Sequence, residues 1–102
     1  IRSASEKPVY EYLEENTRIV NLKTWPIPIS DRLNIELEIS DISPVCIDLY
    51  SAYAQKIEHK ELKGARLYNV ELDMSALVSG IYILNIKRNA GFALYVQKLY
   101  LQ

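Results

Sequence analysis

The chain has 102 residues, 49% apolar and 25% charged, with 12 Lys and Arg against 13 Asp and Glu for a net charge of −1. These values exclude a disordered chain, leave no global attraction to nucleic acid or an anionic membrane, and suit one domain with one core. A single Cys, a single His and three glycines exclude an internal disulfide, the usual structural zinc sites, most nucleophilic triads and a glycine-rich phosphate loop.

Residues 1–17 hold Arg2 and Lys7 against Glu6, Glu11, Glu14 and Glu15. They read as an acidic, partly flexible lead-in, and residues 18–102 as a β-sandwich domain. Val9, Tyr12 and Leu13 stand at i, i+3 and i+4, which permits one or two helical turns within Pro8–Asn16. The chain begins at Ile1 rather than Met, as expected of a processed form or a fragment whose leader is already gone. No run approaches the roughly 18 apolar residues that span a membrane.

From Arg18 the period becomes two. A first strand is expected near Ile19–Thr24. Leu33, Ile35, Leu37 and Ile39 alternate with Asn34, Glu36 and Glu38, a strand with one dry and one wet face. Ser40–Pro44 breaks it. Val45, Ile47 and Leu49 then alternate with Cys46, Asp48 and Tyr50. A turn at Ser51–Ala54 leads into a more charged strand, Gln55–Leu62, and Lys63-Gly64 marks the next turn. Tyr68, Val70 and Leu72 alternate with Asn69, Glu71 and Asp73. Met74–Leu77 is too short for a helix, and Ser79-Gly80 marks a turn. Ile81–Lys87 is apolar on both faces and predicts a central, covered strand. Arg88–Gly91 predicts a hairpin turn with Gly91 at positive φ. In Phe92–Leu101 the parity shifts from Phe92, Leu94 and Val96 to Leu99 and Leu101, which predicts a bulge near Gln97. About seven short strands at this spacing predict an all-β, immunoglobulin-like antiparallel sandwich.

The chemistry-bearing residues are sparse. Cys46 reads as a small buried hydrophobe. His59, within Glu58-His59-Lys60-Glu61, has no neighbouring nucleophile and reads as an exposed spectator. Glu36 and Glu38 read as the wet face of a strand rather than the cleft-flanking pair of a glycosidase. Asp31, Asp41, Asp48 and Asp73 are placed at loops or strand ends, and none forms a calcium-binding loop. No catalytic, cofactor or metal residue is assigned. Eight tyrosines, Tyr10, Tyr12, Tyr50, Tyr53, Tyr68, Tyr82, Tyr95 and Tyr100, suit cross-strand packing or a protein- or glycan-binding face. Basic residues are dispersed, so no nucleic-acid platform is expected.

Three segments carry a family resemblance. They are Trp25-Pro26-Ile27-Pro28-Ile29-Ser30-Asp31-Arg32-Leu33-Asn34-Ile35, then Ile47–Ile57, then Leu72-Asp73-Met74-Ser75-Ala76-Leu77-Val78-Ser79-Gly80-Ile81-Tyr82-Ile83-Leu84-Asn85-Ile86. In this order they resemble the C-terminal sorting domains of the type IX (Por) secretion system of Bacteroidetes, and Gln97-Lys98-Leu99 resembles a Lys-containing pair on that family's last strand. The family positions matched are Pro26, Pro28, Asp31, Asp73, Ser75, Leu77, Gly80, Tyr82 and Lys98. Each also has a structural reading. The prolines suit a crossing between sheets, Asp73 and Ser75 a turn, Gly80 a tight re-entry, and Tyr82 a core plug with its hydroxyl at the rim. Ile27, Ser51 and Ala54 depart from the family pattern. Ala54 stands where Gly is usual, which predicts a turn without positive φ.

The resemblance implies a seven-stranded immunoglobulin-like fold and a non-catalytic, exported module. By the resemblance such a module is expected to be read by the outer-membrane secretion machinery, and often cleaved there by a sortase-like protease while cargo is anchored to lipopolysaccharide. A protein partner in the envelope is therefore expected, with no cofactor and no membrane span. The expected location is the periplasm, the outer-membrane surface or the extracellular space. The final hairpin, Ile81–Leu101, is the expected recognition surface. The alternative is a stand-alone secreted or periplasmic protein that binds a protein or a glycan.

Overall fold

A computed structural model describes residues 17–88 and 93–102. The helical turns considered for Pro8–Asn16, and the hairpin turn at Gly91 with its neighbour Phe92, lie outside the described residues. Seven strands run as β1 (Ile19–Trp25), β2 (Arg32–Ile39), β3 (Val45–Ser51), β4 (Lys56–Leu62), β5 (Leu67–Asp73), β6 (Gly80–Arg88) and β7 (Ala93–Leu101). They form two antiparallel sheets, ordered β1-β2-β5 and β4-β3-β6-β7. The all-β sandwich is as the sequence predicts. β4 pairs with β3, whereas the fourth strand of a constant-type immunoglobulin domain joins the other sheet.

Period-two patterning builds the core. Leu33, Ile35, Leu37 and Ile39 of β2 face Val45, Ile47 and Leu49 of β3 and Tyr82, Leu84 and Ile86 of β6 across the sandwich, all buried. Ile29, Leu72, Met74, Leu99 and Leu101 complete the cluster. Each large side chain buried this way contributes about 1.5–3 kcal/mol relative to exposure, and that sum opposes chain entropy. β3 is the strand buried on both faces, from Val45 through Leu49. β6 is central but its outer face is only half covered, with Ile81 37% exposed.

The β1–β2 connection shows what the two prolines do. The chain leaves the three-stranded sheet at Trp25 and crosses to the other sheet. There Ile29 forms a parallel bridge with Leu101, accepts from the Gln102 N–H at 2.9 Å and donates to the Tyr100 carbonyl at 2.7 Å. Pro26 and Pro28 sit in that crossing, where no ladder hydrogen bond is asked of them.

Three expectations need correction. The bulge predicted near Gln97 is instead a register shift between Ile86 and Lys87, opposite Tyr95 and Ala93. Tyr95, Gln97, Leu99 and Leu101 alternate without interruption from there. The apolar pattern breaks because the inward position at 97 is polar. Its Oε1 accepts from the Tyr95 hydroxyl at 3.1 Å and from Thr24 Oγ1 of β1 at 3.4 Å. Val96 consequently faces solvent at 58% exposure. Second, Ala54 does adopt positive φ, at 65°. The Ser51–Ala54 turn closes with Ala54 N–H donating to the Ser51 carbonyl at 3.0 Å and Ser51 N–H to the Gln55 carbonyl at 2.8 Å. That geometry is a type I turn followed by a left-handed residue, whichever side chain occupies the position. Third, Asp48 is not at a strand end. It lies mid-β3 and is fully buried.

Candidate functional site: the motif end and the outer sheet face

All three connections from odd to even strands, together with the C-terminus of β7, lie at one end of the sandwich. Hydrogen bonds and packing tie them there. Met74 N–H donates to the Asp31 carbonyl at 2.8 Å, joining the β5–β6 loop to the start of β2. Asp73 Oδ1 accepts from Ser75 N–H at 3.0 Å and Ser75 Oγ at 2.6 Å. The Ser75 hydroxyl and amide hold the Asp73 carboxyl below its ordinary value. Leu77 N–H donates to the Met74 carbonyl at 3.1 Å, and Met74 is buried as the loop's anchor. Gly80 then starts β6 at φ +147°, a region that side-chain-bearing residues avoid.

Tyr82 locks the far side of this loop. Its ring is buried in the core and its hydroxyl donates back to the Val78 carbonyl at 2.7 Å. This is the arrangement of the tyrosine corner of immunoglobulin-like sandwiches. The sequence reading of Tyr82 as a plug with its hydroxyl at the rim matches the geometry. Tyr68 makes a second closure, donating to the Ala65 carbonyl at 2.8 Å beside Gly64, whose φ is +88°.

The β5–β6 loop and the β3–β4 turn enclose an open pocket of about 520 Å³. Leu77, Val78, Ile81 and Tyr82 line one side, and Tyr53 and Ile57 the other. Its rim is strongly apolar and exposed, with Tyr53 at 94% and Val78 at 79%. Exposed apolar clusters of this kind mark interaction surfaces. Of the nine positions on which the resemblance was read, Asp31, Asp73, Ser75, Leu77, Gly80 and Tyr82 come together at this end, and Pro26 and Pro28 lie in the loop that feeds it. Lys98 stands apart, exposed on the outer face of β7 opposite Ile83. Val78 escaped sequence reasoning, and Tyr53 stood out only as one of eight tyrosines, because nothing in a two-residue period says which way a loop side chain turns.

The outer face of the four-stranded sheet holds a charge cluster. Asp48 is met there by His59 Nδ1 from β4, by Lys56 Nζ at 3.7 Å and by Lys87 Nζ of β6 at 3.1 Å. Burial pushes the Asp48 carboxyl up, but the His59 hydrogen bond and the adjacent ammonium groups outweigh it and hold the group below its ordinary value. Hydrogen bonds to Asp48 and then to Glu61, the latter at 3.4 Å, raise the His59 imidazole above its ordinary value. The contact with Asp48 also raises Lys87. His59 is exposed, as predicted, but it is not a spectator. It caps a buried carboxylate. Cys46 is buried beside them in no disulfide, and burial, then Asp48 and Glu61, push its thiol up, away from nucleophilic thiolate character. Among the described residues, no group of three or more His, Cys, Asp or Glu side chains gathers as metal ligands. Among them, no helix is long and apolar enough to cross a membrane.

The family described as the secretion system C-terminal sorting domain matches residues 23–102, from within β1 to the last residue. The chain belongs to this family. The match spans all three of the segments that build the loop end. Among solved structures, a β-glucuronidase of Lactobacillus rhamnosus superposes with a TM-score of 0.52 at 14% identity. The likeness covers 84% of this chain and 16% of the glucuronidase chain, and it speaks for the fold alone. No curated protein matches the chain. Membership makes this a type IX sorting-signal module of a secreted protein, engaged by the secretion machinery.

Proposed function

We propose that residues 18–102 act as a non-catalytic sorting signal that the secretion machinery reads at the motif end and along the adjoining β6–β7 hairpin. Residues 1–17 are the acidic lead-in to it. One observation carries this reading. Two of the segments that resemble the family, residues 47–57 and 72–86, line one apolar, solvent-open pocket, and the third, residues 25–35, is tied to the same loop end beside it by the Met74–Asp31 backbone bond. A structural motif alone would not need Tyr53 and Val78 exposed there. The matched positions act in two ways. Asp73, Ser75, Gly80 and Tyr82 fix the loop, and Pro26, Pro28, Asp31 and Leu77 set its neighbours, whereas Lys98 offers a charge on the hairpin. The protein's destination is the outer-membrane surface or the medium, reached through the periplasm. The test fuses the whole chain to the C-terminus of a secreted reporter in a type IX-competent cell. Export supports the reading, and retention in the periplasm contradicts it.

A second reading, glycan binding, draws on the outer face of the three-stranded sheet. Trp25, 43% exposed, lines a shallow pocket there with Asn34, Asn69 and Glu71. An aromatic face beside amides and a carboxylate suits a sugar ring, and a glycan array read with the wild-type chain and with Trp25→Ala tests it.

A further inference from the structure

The four sheet edges are not equivalent. β4 reads Lys56-Ile57-Glu58-His59-Lys60-Glu61-Leu62, an edge crowded with charges of both signs, which discourages pairing. β1 is broken by a register shift at Val20, between Ile19 and Asn21. β5 carries Asn69, Glu71 and Asp73 along its length. β7 has one charged residue in nine, Lys98.

The hydrogen-bond phase of β7 follows from its end. The Tyr100 carbonyl points away from β6, since it accepts from Ile29 N–H. In an antiparallel ladder, residues alternate between exchanging both bonds with the partner and directing both groups away. Tyr100 stands opposite Ile81, Lys98 opposite Ile83 and Val96 opposite Asn85, every second pair. The N–H and C=O groups of Lys98 and Val96 therefore face the open edge, as does the Tyr100 N–H. Among the described residues, Ile29 covers this edge only at its far end. The side chains of the same three residues stand on the outer face, where Val96 is 58% and Tyr100 54% exposed beside Ile81 and Ile83.

We propose that the open edge of β7 takes an extended strand of a protein partner, with an acidic side chain of that strand set opposite Lys98. The proposal deepens the sorting reading by naming the chemistry of the partner segment, and it rests on that reading for the partner being part of the secretion machinery. Strand addition satisfies the free backbone groups and continues the apolar outer face past Val96 and Tyr100. Lys98 is the only charge on β7, so it sets the register. An acid directly across is favourable, and a lysine there is not. The same rule disfavours a second copy of this chain. The two-fold antiparallel pairing that uses all three open residues sets Lys98 opposite its own copy.

The test is carried out on the purified 102-residue chain, labelled with nitrogen-15, and is independent of secretion. Two seven-residue peptides alternating Thr and Val, one with Glu and one with Lys at the centre, are titrated while the amide signals are followed. The Glu peptide is expected to shift the Val96, Lys98 and Tyr100 amides and to bind about fivefold more tightly than the Lys peptide. Lys98→Glu is expected to invert that preference. Val96→Pro removes an N–H that β6 does not use, so it is expected to keep the fold and abolish binding. Should Val96→Pro fail to fold, the Lys98→Glu inversion decides alone. No amide shift, an unchanged preference in Lys98→Glu, or a chain that dimerises through this edge overturns the proposal. If peptides bind as expected but the reporter fusion stays in the periplasm, the edge stands and the sorting reading falls.

Discussion

Replacing Ala54 by Gly should stabilise the protein. Ala54 sits at φ 65°, where a Cβ meets the following carbonyl and costs about 1–2 kcal/mol. Four contacts over-determine that conformation. Two are the backbone bonds of 3.0 and 2.8 Å between Ser51 and residues Ala54 and Gln55. Two more run from the Tyr53 and Gln55 amides to Ser51 Oγ, at 3.2 and 3.3 Å. The turn therefore cannot relax to suit alanine. Because Ala54 is exposed, losing its methyl opens no cavity. Against the relief stands the extra unfolded-chain entropy of Gly, about 0.5–1 kcal/mol. The balance is about 0.5–1 kcal/mol in favour of Ala54→Gly, or a rise of about 2–8 °C in Tm for a domain of this size. Thermal melts together with urea unfolding measure it, and an unchanged urea slope shows that the denatured state is not responsible. A melting point equal to or below that of the wild-type chain would refute the left-handed assignment at Ala54.

The Asp48 cluster predicts a defined pH dependence. His59 is raised in the fold, so its contribution is fully present below its unfolded value and is lost as pH rises through the folded value. Asp48 is lowered, so its contribution is present above its unfolded value and is lost as pH falls through the folded one. Stability should thus peak in mildly acidic solution, and His59→Gln should flatten the alkaline side of the profile in melts taken from pH 4 to pH 9. Tyr82→Phe removes the hydroxyl that holds the Val78 carbonyl and should cost about 1 kcal/mol by urea unfolding, with faster amide exchange in the β5–β6 loop. Gly80→Ala meets no atom within 4 Å but must occupy φ +147°, so it should destabilise by about 1–3 kcal/mol through backbone strain alone.

Much of this fold was legible because the signal is local. The alternation in β2 places Leu33, Ile35, Leu37 and Ile39 inward, and Ser40–Pro44, Lys63-Gly64 and Ser79-Gly80 punctuate the chain where strands end or begin. The failures share a different cause. Asp48 reads as a strand-end carboxylate, and only the pairing of β3 with both β4 and β6 brings Lys56, His59 and Lys87 over it. Gln97 reads as a break in apolar parity, and only the packing of β1 across the sandwich supplies Thr24 as its donor. Alanine at position 54 suggested an ordinary turn, whereas the hairpin dictates the conformation and the side chain tolerates it. The site was half legible. The motif residues were visible in sequence, but the gathering of most of them at one end of the sandwich, beside the pocket that Leu77, Gly80 and Tyr82 line, is a property of the tertiary fold.

The most direct measurement compares two reporter fusions in a type IX-competent cell, one with the wild-type chain and one with Tyr53→Asp and Val78→Asp combined. Both substitutions lie on exposed side chains, so the variant should fold with a near-normal Tm. The account predicts wild-type reporter at the cell surface or in the medium and variant reporter held in the periplasm. Periplasmic retention of the wild-type fusion, or equal export of the variant, would contradict it.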